Sequence, residues 1–370
     1  MDEISHGPKR EFRMPFGRWL IAGATAGLIA AAAVMVVTGA GGRQAASRAG
    51  APRALPTAAP LTATVLARIP LPVSRSSNMT LLGSTAWISD WSTGKVIGVD
   101  LATRRIVRTL HIRGQQDGPV SMASGAGSVW ALDLSGSLLR IDAVTGVISK
   151  RIPVRGQSAD VAYGDGFVWV ITSTPARNGT EEHLYKIDPS RNVIVKGVPI
   201  PGSGPRCVAS PGPQGVWVGC GGAVGITLID PRSLKPVESV PVDIGEYAGR
   251  PIGVPGLTPQ IAPGREAVWV LTPAGLVRVD PATARITATV HIGYDLRAMS
   301  VPALTVDRAG RVWVAGSLLN VLLPGSLAVH RVAQTAGSRS VAADGQSVWV
   351  DTGRTLVGLD ASVGTAGRRG

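Results

Sequence analysis

The sequence predicts an all-β fold: a seven-bladed β-propeller of four-stranded antiparallel blades, with an N-terminal strand closing the last blade, preceded by one transmembrane helix. Three observations carry this reading. Tryptophan recurs at positions 87, 130, 169, 217, 269, 313 and 349, at intervals of 36 to 52 residues, each time inside a short apolar strand such as Val168-Trp169-Val170. A repeat of that length is the period of a propeller blade. A strand-like stretch at Val65–Val73 stands ahead of the first repeat, and the last repeat lacks its own fourth strand. Finally, Trp19–Ala40 runs without a charged residue, as long as the ~20 residues that a helix needs to cross a bilayer.

Taken in order, residues 1–18 form a short tail carrying Lys9, Arg10, Arg13 and Arg18. Basic residues ahead of an apolar span favour a cytoplasmic N-terminus, with the remainder of the chain outside. The expected location is therefore the cell membrane, single-pass, with the propeller outside the cytoplasm. A cleaved signal peptide ending near Thr38-Gly39-Ala40 is the rival reading. No cysteine follows the span, so the lipoprotein pattern is missing. Residues 41–62 are rich in Gly, Ala, Arg and Pro and read as an exposed linker, and the propeller occupies 63–370.

The unit of the propeller is clearest in Ala267–Ile292. Val268-Trp269-Val270-Leu271 is a compact strand, Leu276–Asp280 alternates as the next, and Ile286–Ile292 places a β-branched residue at every second position over most of its length. Before each Trp comes a hairpin whose tip carries Gly or Asp, as at Gly164-Asp165-Gly166. Those residues supply the positive φ of tight turns. After most Trp strands comes an ending in Asp: Asp100, Asp142, Asp188, Asp230, Asp280 and Asp360, with Leu323-Pro324 in the sixth repeat. Asp followed by Pro, Ala or Ser caps a turn by accepting backbone N–H bonds. With the strands called A (inner), B (with Trp), C (ending in Asp) and D (outer), Val65–Val73 supplies the missing D strand. Closure of this kind removes free sheet edges. A Trp or Asp present in almost every repeat belongs to the scaffold.

The net charge is +13, mostly arginine. That favours acidic partners, although arginine used for solubility explains the same number. Aromatics outside the Trp series are scarce, which argues against stacking on single-stranded nucleic acid. Cys207 and Cys220 are too few for a disulfide framework or a thiolate metal site. They fall at the open ends of one predicted A–B hairpin, where an oxidising exterior allows a disulfide; two reduced thiols are the alternative.

The segment Gly94-Lys95-Val96-Ile97-Gly98-Val99-Asp100-Leu101-Ala102-Thr103-Arg104-Arg105-Ile106-Val107 resembles the YVTN family of bacterial propeller repeats, and Ala267–Ile286 is similar to the repeats of virginiamycin B lyase-like propellers. The second resemblance implies a metal-assisted elimination that opens a cyclic depsipeptide, using a histidine on the face of the blades. No histidine of this chain takes that place. His111, His291 and His330 fall in D strands, and His183 falls in a third-repeat insertion, Thr172–His183.

Ligands of a propeller gather where the D-to-A and B-to-C connections meet around the central channel. Each D-to-A junction here holds an arginine: Arg75, Arg113, Arg155, Arg206, Arg250, Arg297 and Arg339. Guanidinium groups ringed about one axis bind carboxylates or phosphates. Asp117, Asp160, Glu246 and Asp295 share those junctions and offset part of the field. The longest junction, Asp243–Pro263, adds Tyr247. No phosphate loop, nucleophile motif or metal-spaced cluster is present in the sequence. The expectation is a non-catalytic binding or sensing module, with a protein or an anionic envelope component as partner, the membrane held through residues 19–40, no nucleic acid and no cofactor. The alternatives are a lyase or lactone-processing enzyme using carboxylates and a divalent metal, and a structural part of an envelope complex.

Overall fold

In the computed structural model, the residues described are 58–363, except 75, 91, 113–120, 134–135, 178, 201–206, 221–224, 243–259, 273–274, 293–302 and 333–334. The expected membrane helix at 19–40 lies outside them. Among the described residues, no helix is long and apolar enough to cross a membrane.

The chain enters through β1 (Val65–Pro70) and then lays down its blades in sequence. Blade 1 is β2 (Ser76–Leu82), β3 (Thr85–Asp90), β4 (Lys95–Asp100) and β5 (Arg105–His111). Blade 2 is β6 (Ser121–Gly125), β7 (Ser128–Leu132), β8 (Ser137–Asp142) and β9 (Ile148–Pro153). Blade 3 is β10 (Gln157–Gly164), β11 (Phe167–Ala176), β12 (Gly179–Asp188) and β13 (Val193–Pro199). Blade 4 is β14 (Cys207–Gly212), β15 (Gly215–Cys220), β16 (Ile226–Ile229) and β17 (Pro236–Val240). Blade 5 is β18 (Gln260–Pro263), β19 (Val268–Thr272), β20 (Gly275–Asp280) and β21 (Arg285–Val290). Blade 6 is β22 (Ala303–Val306), β23 (Val312–Ala315), β24 (Leu319–Leu322) and β25 (Val329–Val332). Blade 7 takes β26 (Ser340–Ala343), β27 (Ser347–Asp351) and β28 (Thr355–Asp360), and β1 completes it.

Closure follows from the pairing of β1 with β28, antiparallel, from Val65 opposite Leu359 to Pro70 opposite Thr355. The inner strands touch in a complete cycle, β2, β6, β10, β14, β18, β22, β26 and back to β2. Just before β1, Leu61 bridges Val332 in parallel and donates its N–H to Arg331 O at 2.9 Å. The entering segment thereby covers part of blade 6's outer edge, which would otherwise offer unpaired backbone groups.

Each tryptophan seals one blade onto the next. Trp130 clusters with Val161, Val168 and Val170 of blade 3, and Trp169 with Ala209, Val216 and Val218 of blade 4. Trp349 packs on Met79, Ile88 and Ile97 of blade 1, beside Ile69 of the closing strand. All seven rings are buried. A large ring fits a gap between twisted sheets that branched aliphatics alone leave unfilled. The C-strand residue opposite the ring is a cation in blades 2, 3 and 5, glycine in blades 1 and 7, and an aliphatic residue, Leu228 or Val321, in blades 4 and 6. Arg140 reaches over Trp130 and bonds Pro189 O and Asn192 Oδ1 of blade 3. Lys186 lies 3.8 Å from the Phe167 ring centre and donates to Pro231 O of blade 4. Gly358 faces Trp349 so closely that a Cβ there would lie 2.6 Å from the ring.

The C-to-D turns explain the repeated aspartates. Asp142 Oδ1 accepts the N–H of Val144 and of Thr145 and the hydroxyl of Thr145. Asp100, Asp188, Asp230 and Asp280 make equivalent turns. Four residues later the backbone takes positive φ: Arg104, Gly146, Asn192, Leu234 and Ala284. The stretch expected as an insertion, Thr172–His183, is not a separate loop. It prolongs β11 and β12 to ten residues each, so blade 3 projects a taller hairpin.

Candidate functional site

In a meander of four strands, the A–B and C–D turns share one rim, while the B–C and D–A connections share the other. The second, here the channel rim, is the candidate site. Inner-strand register builds it. The residues nine before their Trp in six blades, Asn78, Ser121, Asp160, Val208, Gln260 and Ser340, pair with the second residue after each Trp. Blade 6 contributes Ala303 opposite Ala315. Together they form one layer of the inner strands, polar in five of the seven blades.

Asp160 is the hub of that layer. It is half-buried, follows a bulge at Ala159, and joins three blades. Ser121 Oγ of blade 2 donates to its Oδ1 at 2.7 Å, and Ala209 N–H of blade 4 donates to its Oδ2 at 3.0 Å. Enclosure in protein raises its carboxyl to about 6, against the lowering pull of those hydrogen bonds. Hydroxyls extend the belt on either side. Thr80 donates to Ser124 Oγ, Ser124 to Leu81 O, and Ser210 to Ile261 O.

Three other acids of this rim, Asp90, Asp133 and Glu182, are buried and committed to the scaffold. Burial acts to raise the Asp90 carboxyl, but bonds from Ser74 N–H, the Ser92 and Thr93 hydroxyls and Ser92 N–H together hold it below the usual range. Asp133 accepts Ser137 N–H at 3.0 Å and pairs with Arg151 at 3.4 Å. Glu182, on the tall hairpin of blade 3, accepts the hydroxyls of Ser173 and Thr180. Asp351 differs. It stands where the other blades place Ser89, Leu132, Ile171, Gly219, Leu271 and Ala315, and it is fully buried at the junction of blades 7 and 1. Its Oδ1 accepts Gly353 N–H at 2.7 Å, while its Oδ2 has no hydrogen-bond partner among the described residues. Burial is the leading influence and raises its carboxyl, with Ser76, Gly353, Arg339 and Ser340 acting against it.

Of the arginines expected at the rim, Arg155 and Arg339 are described, and both are exposed. Arg155 O accepts the Thr172 hydroxyl at 2.6 Å, which holds the D-to-A turn of blade 3 under the tall hairpin. The Arg339 guanidinium lies against Gly353. Arg75, Arg113, Arg206, Arg250, Arg297 and Tyr247 lie outside the described residues. Arg354 and Arg177, both exposed, share the rim with exposed Glu181. His183 lies in the third strand of its blade, stacked at 6.2 Å on Tyr185; His111 and His330 lie in outer strands and His291 directly follows one. Cys207 and Cys220 face each other across β14 and β15 and are joined as a disulfide, both sulfurs buried at this rim. Among the described residues, no group of three or more His, Cys, Asp or Glu side chains is placed to hold a metal ion.

The polar layer was missed by counting arginines along the junctions. Aligning the repeats on Trp and reading backwards nine positions exposes it, because inner-strand register is constant while loop length is not.

No protein-family model matches this chain, and no curated protein matches it. Among solved structures it is similar to a chain of hydrazine synthase from Kuenenia stuttgartiensis, with a TM-score of 0.62 at 17% identity over 79% of this chain and 97% of that one. A likeness at that identity is one of architecture, and it establishes the seven-bladed propeller fold.

Proposed function

We propose that this chain is a membrane-tethered propeller displayed outside the cytoplasm, and that its channel rim is a non-catalytic binding or sensing surface for a protein or an anionic envelope component. The propeller scaffold suits such a module, since it presents many loops of independent sequence on one rigid frame. One observation carries the anionic preference. On the channel rim the acids Asp90, Asp133, Glu182 and Asp351 are buried, whereas Arg155, Arg177, Arg339 and Arg354 are exposed. With Glu181 as the exposed acid beside four exposed arginines, an approaching partner meets mainly guanidinium groups, and arginine grips carboxylates and phosphates through paired N–H donors. The disulfide is in keeping with an oxidising compartment. The YVTN and lyase-like resemblances remain likenesses of repeat sequence.

The test uses the full-length chain in nanodiscs. A purified anionic wall polymer should bind in a salt-sensitive manner, and replacing Arg155, Arg339 and Arg354 by alanine should weaken it at least about tenfold. Equal binding by the triple variant overturns the anionic reading, and a protein recovered in mild detergent would then support the protein-partner arm. Recovery of the chain in the soluble cytoplasm, shielded from protease added to intact spheroplasts, overturns the tether.

A further inference from the structure

The seam that closes the ring carries a group of buried oxygen atoms that the scaffold does not use. Asp351 is 0% exposed, and Ser76 and Ser340 are 7% exposed. They come from three strands that meet there: β27, the first strand of blade 1, and β26, whose Ser340 is paired directly with Asp351. Both hydroxyls stand near enough to the Asp351 carboxyl to act on its affinity for a proton. Yet Asp351 Oδ2, Ser76 Oγ and Ser340 Oγ all lack a hydrogen-bond partner among the described residues. The two hydroxyls lean on the carboxylate as donors that lower its affinity for a proton, but no hydrogen bond of ordinary length and angle joins the three atoms.

Charge narrows the occupant. A buried carboxylate is costly unless a positive group or several donors satisfy it. Gly353 N–H satisfies Oδ1 alone. Arg339 is the nearby charged group named by its effect on Asp351, but its side chain is exposed and lies against Gly353. Asp90, the other acid near the start of blade 1, is occupied by Ser74 and Ser92. The comparison among blades makes the same point, because six sister positions hold Ser, Gly, Ala or aliphatic residues and need no counter-charge.

We propose that Asp351 Oδ2, Ser76 Oγ and Ser340 Oγ form a binding site for one small hard cation, of the sodium or calcium type, at the junction of the last and first blades. One carboxylate with two hydroxyl oxygens is an all-oxygen donor set suited to hard cations and unsuited to thiophilic or imidazole-seeking metals. Water molecules or carbonyl groups complete the shell. The cation bridges blade 7 to blade 1, so its binding tightens the closure of the ring.

The experiment is thermal unfolding of the full-length protein, first in chelated buffer with choline as the only cation. Na+, K+, Mg2+ and Ca2+ are then added separately at constant ionic strength, with native mass spectrometry to count bound ions. The expected result is a saturable rise in Tm with Na+ or Ca2+, one ion per chain, and at least tenfold weaker binding in Asp351→Asn and in Ser76→Ala/Ser340→Ala. The serine variant keeps the carboxylate and reads the site if Asp351→Asn does not fold. A wild-type Tm indifferent to all four cations overturns the proposal, as an enclosed water would give, and so does an unchanged shift in Asp351→Asn. A destabilised Arg75→Ala variant beside a cation-indifferent wild type overturns it in favour of an internal guanidinium partner.

Discussion

The two rims of this propeller use the same side chain in opposite ways. On the turn rim, Asp100, Asp142, Asp188, Asp230, Asp280 and Asp360 lie in short turns and collect hydrogen bonds that hold their carboxyls below the ordinary value. Backbone N–H groups lead in Asp100, Asp142, Asp230 and Asp280, and serine hydroxyls in Asp188 and Asp360. On the channel rim, Asp160 and Asp351 are enclosed, and burial raises both. The first set recurs with the repeat and belongs to the scaffold. The second set breaks the repeat, and a carboxylate that costs stability where its sisters hold neutral residues is where a role other than folding is to be sought.

The largest expected effect lies on the turn rim, at the latch between blades 6 and 7. Arg311 pairs with buried Asp307 at 2.6 Å, donates to Gly345 O at 2.9 Å, and also donates to Ala361 O just past the last strand. Arg311→Ala leaves buried Asp307 its bonds from Ala309 N–H, the residue-311 N–H and the Trp313 indole but removes its counter-charge, and should cost about 3 kcal/mol in denaturant unfolding. A loss below about 1 kcal/mol would show that the turn rim is not a structural seam. On the channel rim, Cys207→Ser/Cys220→Ser should cost about 2–4 kcal/mol, read as a lower denaturation midpoint under non-reducing conditions. Asp351→Leu should act in the opposite direction. It gives blade 7 the kind of residue found in blades 2, 3 and 5, and in cation-free buffer it should stabilise by about 1 kcal/mol or more.

A pH series separates the rims. Asp160 has a folded-state value of about 6, above its ordinary 3.8, so it holds a proton more tightly folded than unfolded. Its contribution is complete below about 4 and is lost as pH rises through about 6. The turn carboxylates are depressed, so their contribution is present above the ordinary value and is lost as pH falls through their folded values. Asp351 is raised as well and acts in the same direction as Asp160, so stability should rise as pH falls from 7 towards 4, and then decline. Asp160→Asn should make the upper limb shallower, with Asp351 supplying what remains, and leave the acid limb unchanged; an unaltered upper limb would show that Asp160 is not enclosed. The smallest effect is expected for a single turn change such as Asp280→Ala, a slight fall in Tm with the acid limb marginally shallower.

Much of the architecture could be read from residues. Trp spacing gave seven sheets, Gly and Asp marked the turns, and the unpaired Val65–Val73 stretch pointed to ring closure, because each signal is local and repeats. The tall hairpin of blade 3 was read as an insertion, since Thr172–His183 holds Pro175, Asn178 and Gly179 and strand continuity there depends on Thr172 meeting His183 across the pair. The positions of the polar layer follow from aligning the repeats on Trp, but the bonds within it do not, because they join residues about 40 to 50 positions apart, as Ser121, Asp160 and Ala209 are.

By itself, the sequence determined the class of the fold, the number of blades, the strand that closes the ring and the turn chemistry of one rim. These follow from periods of two and of about 40 residues, which require no knowledge of distant neighbours. Tertiary structure alone decided which acids are enclosed, which arginines face solvent, and that Asp351, Ser76 and Ser340 gather at one seam. Burial and proximity are set by how seven sheets close on an axis, and no local stretch of chain carries that information.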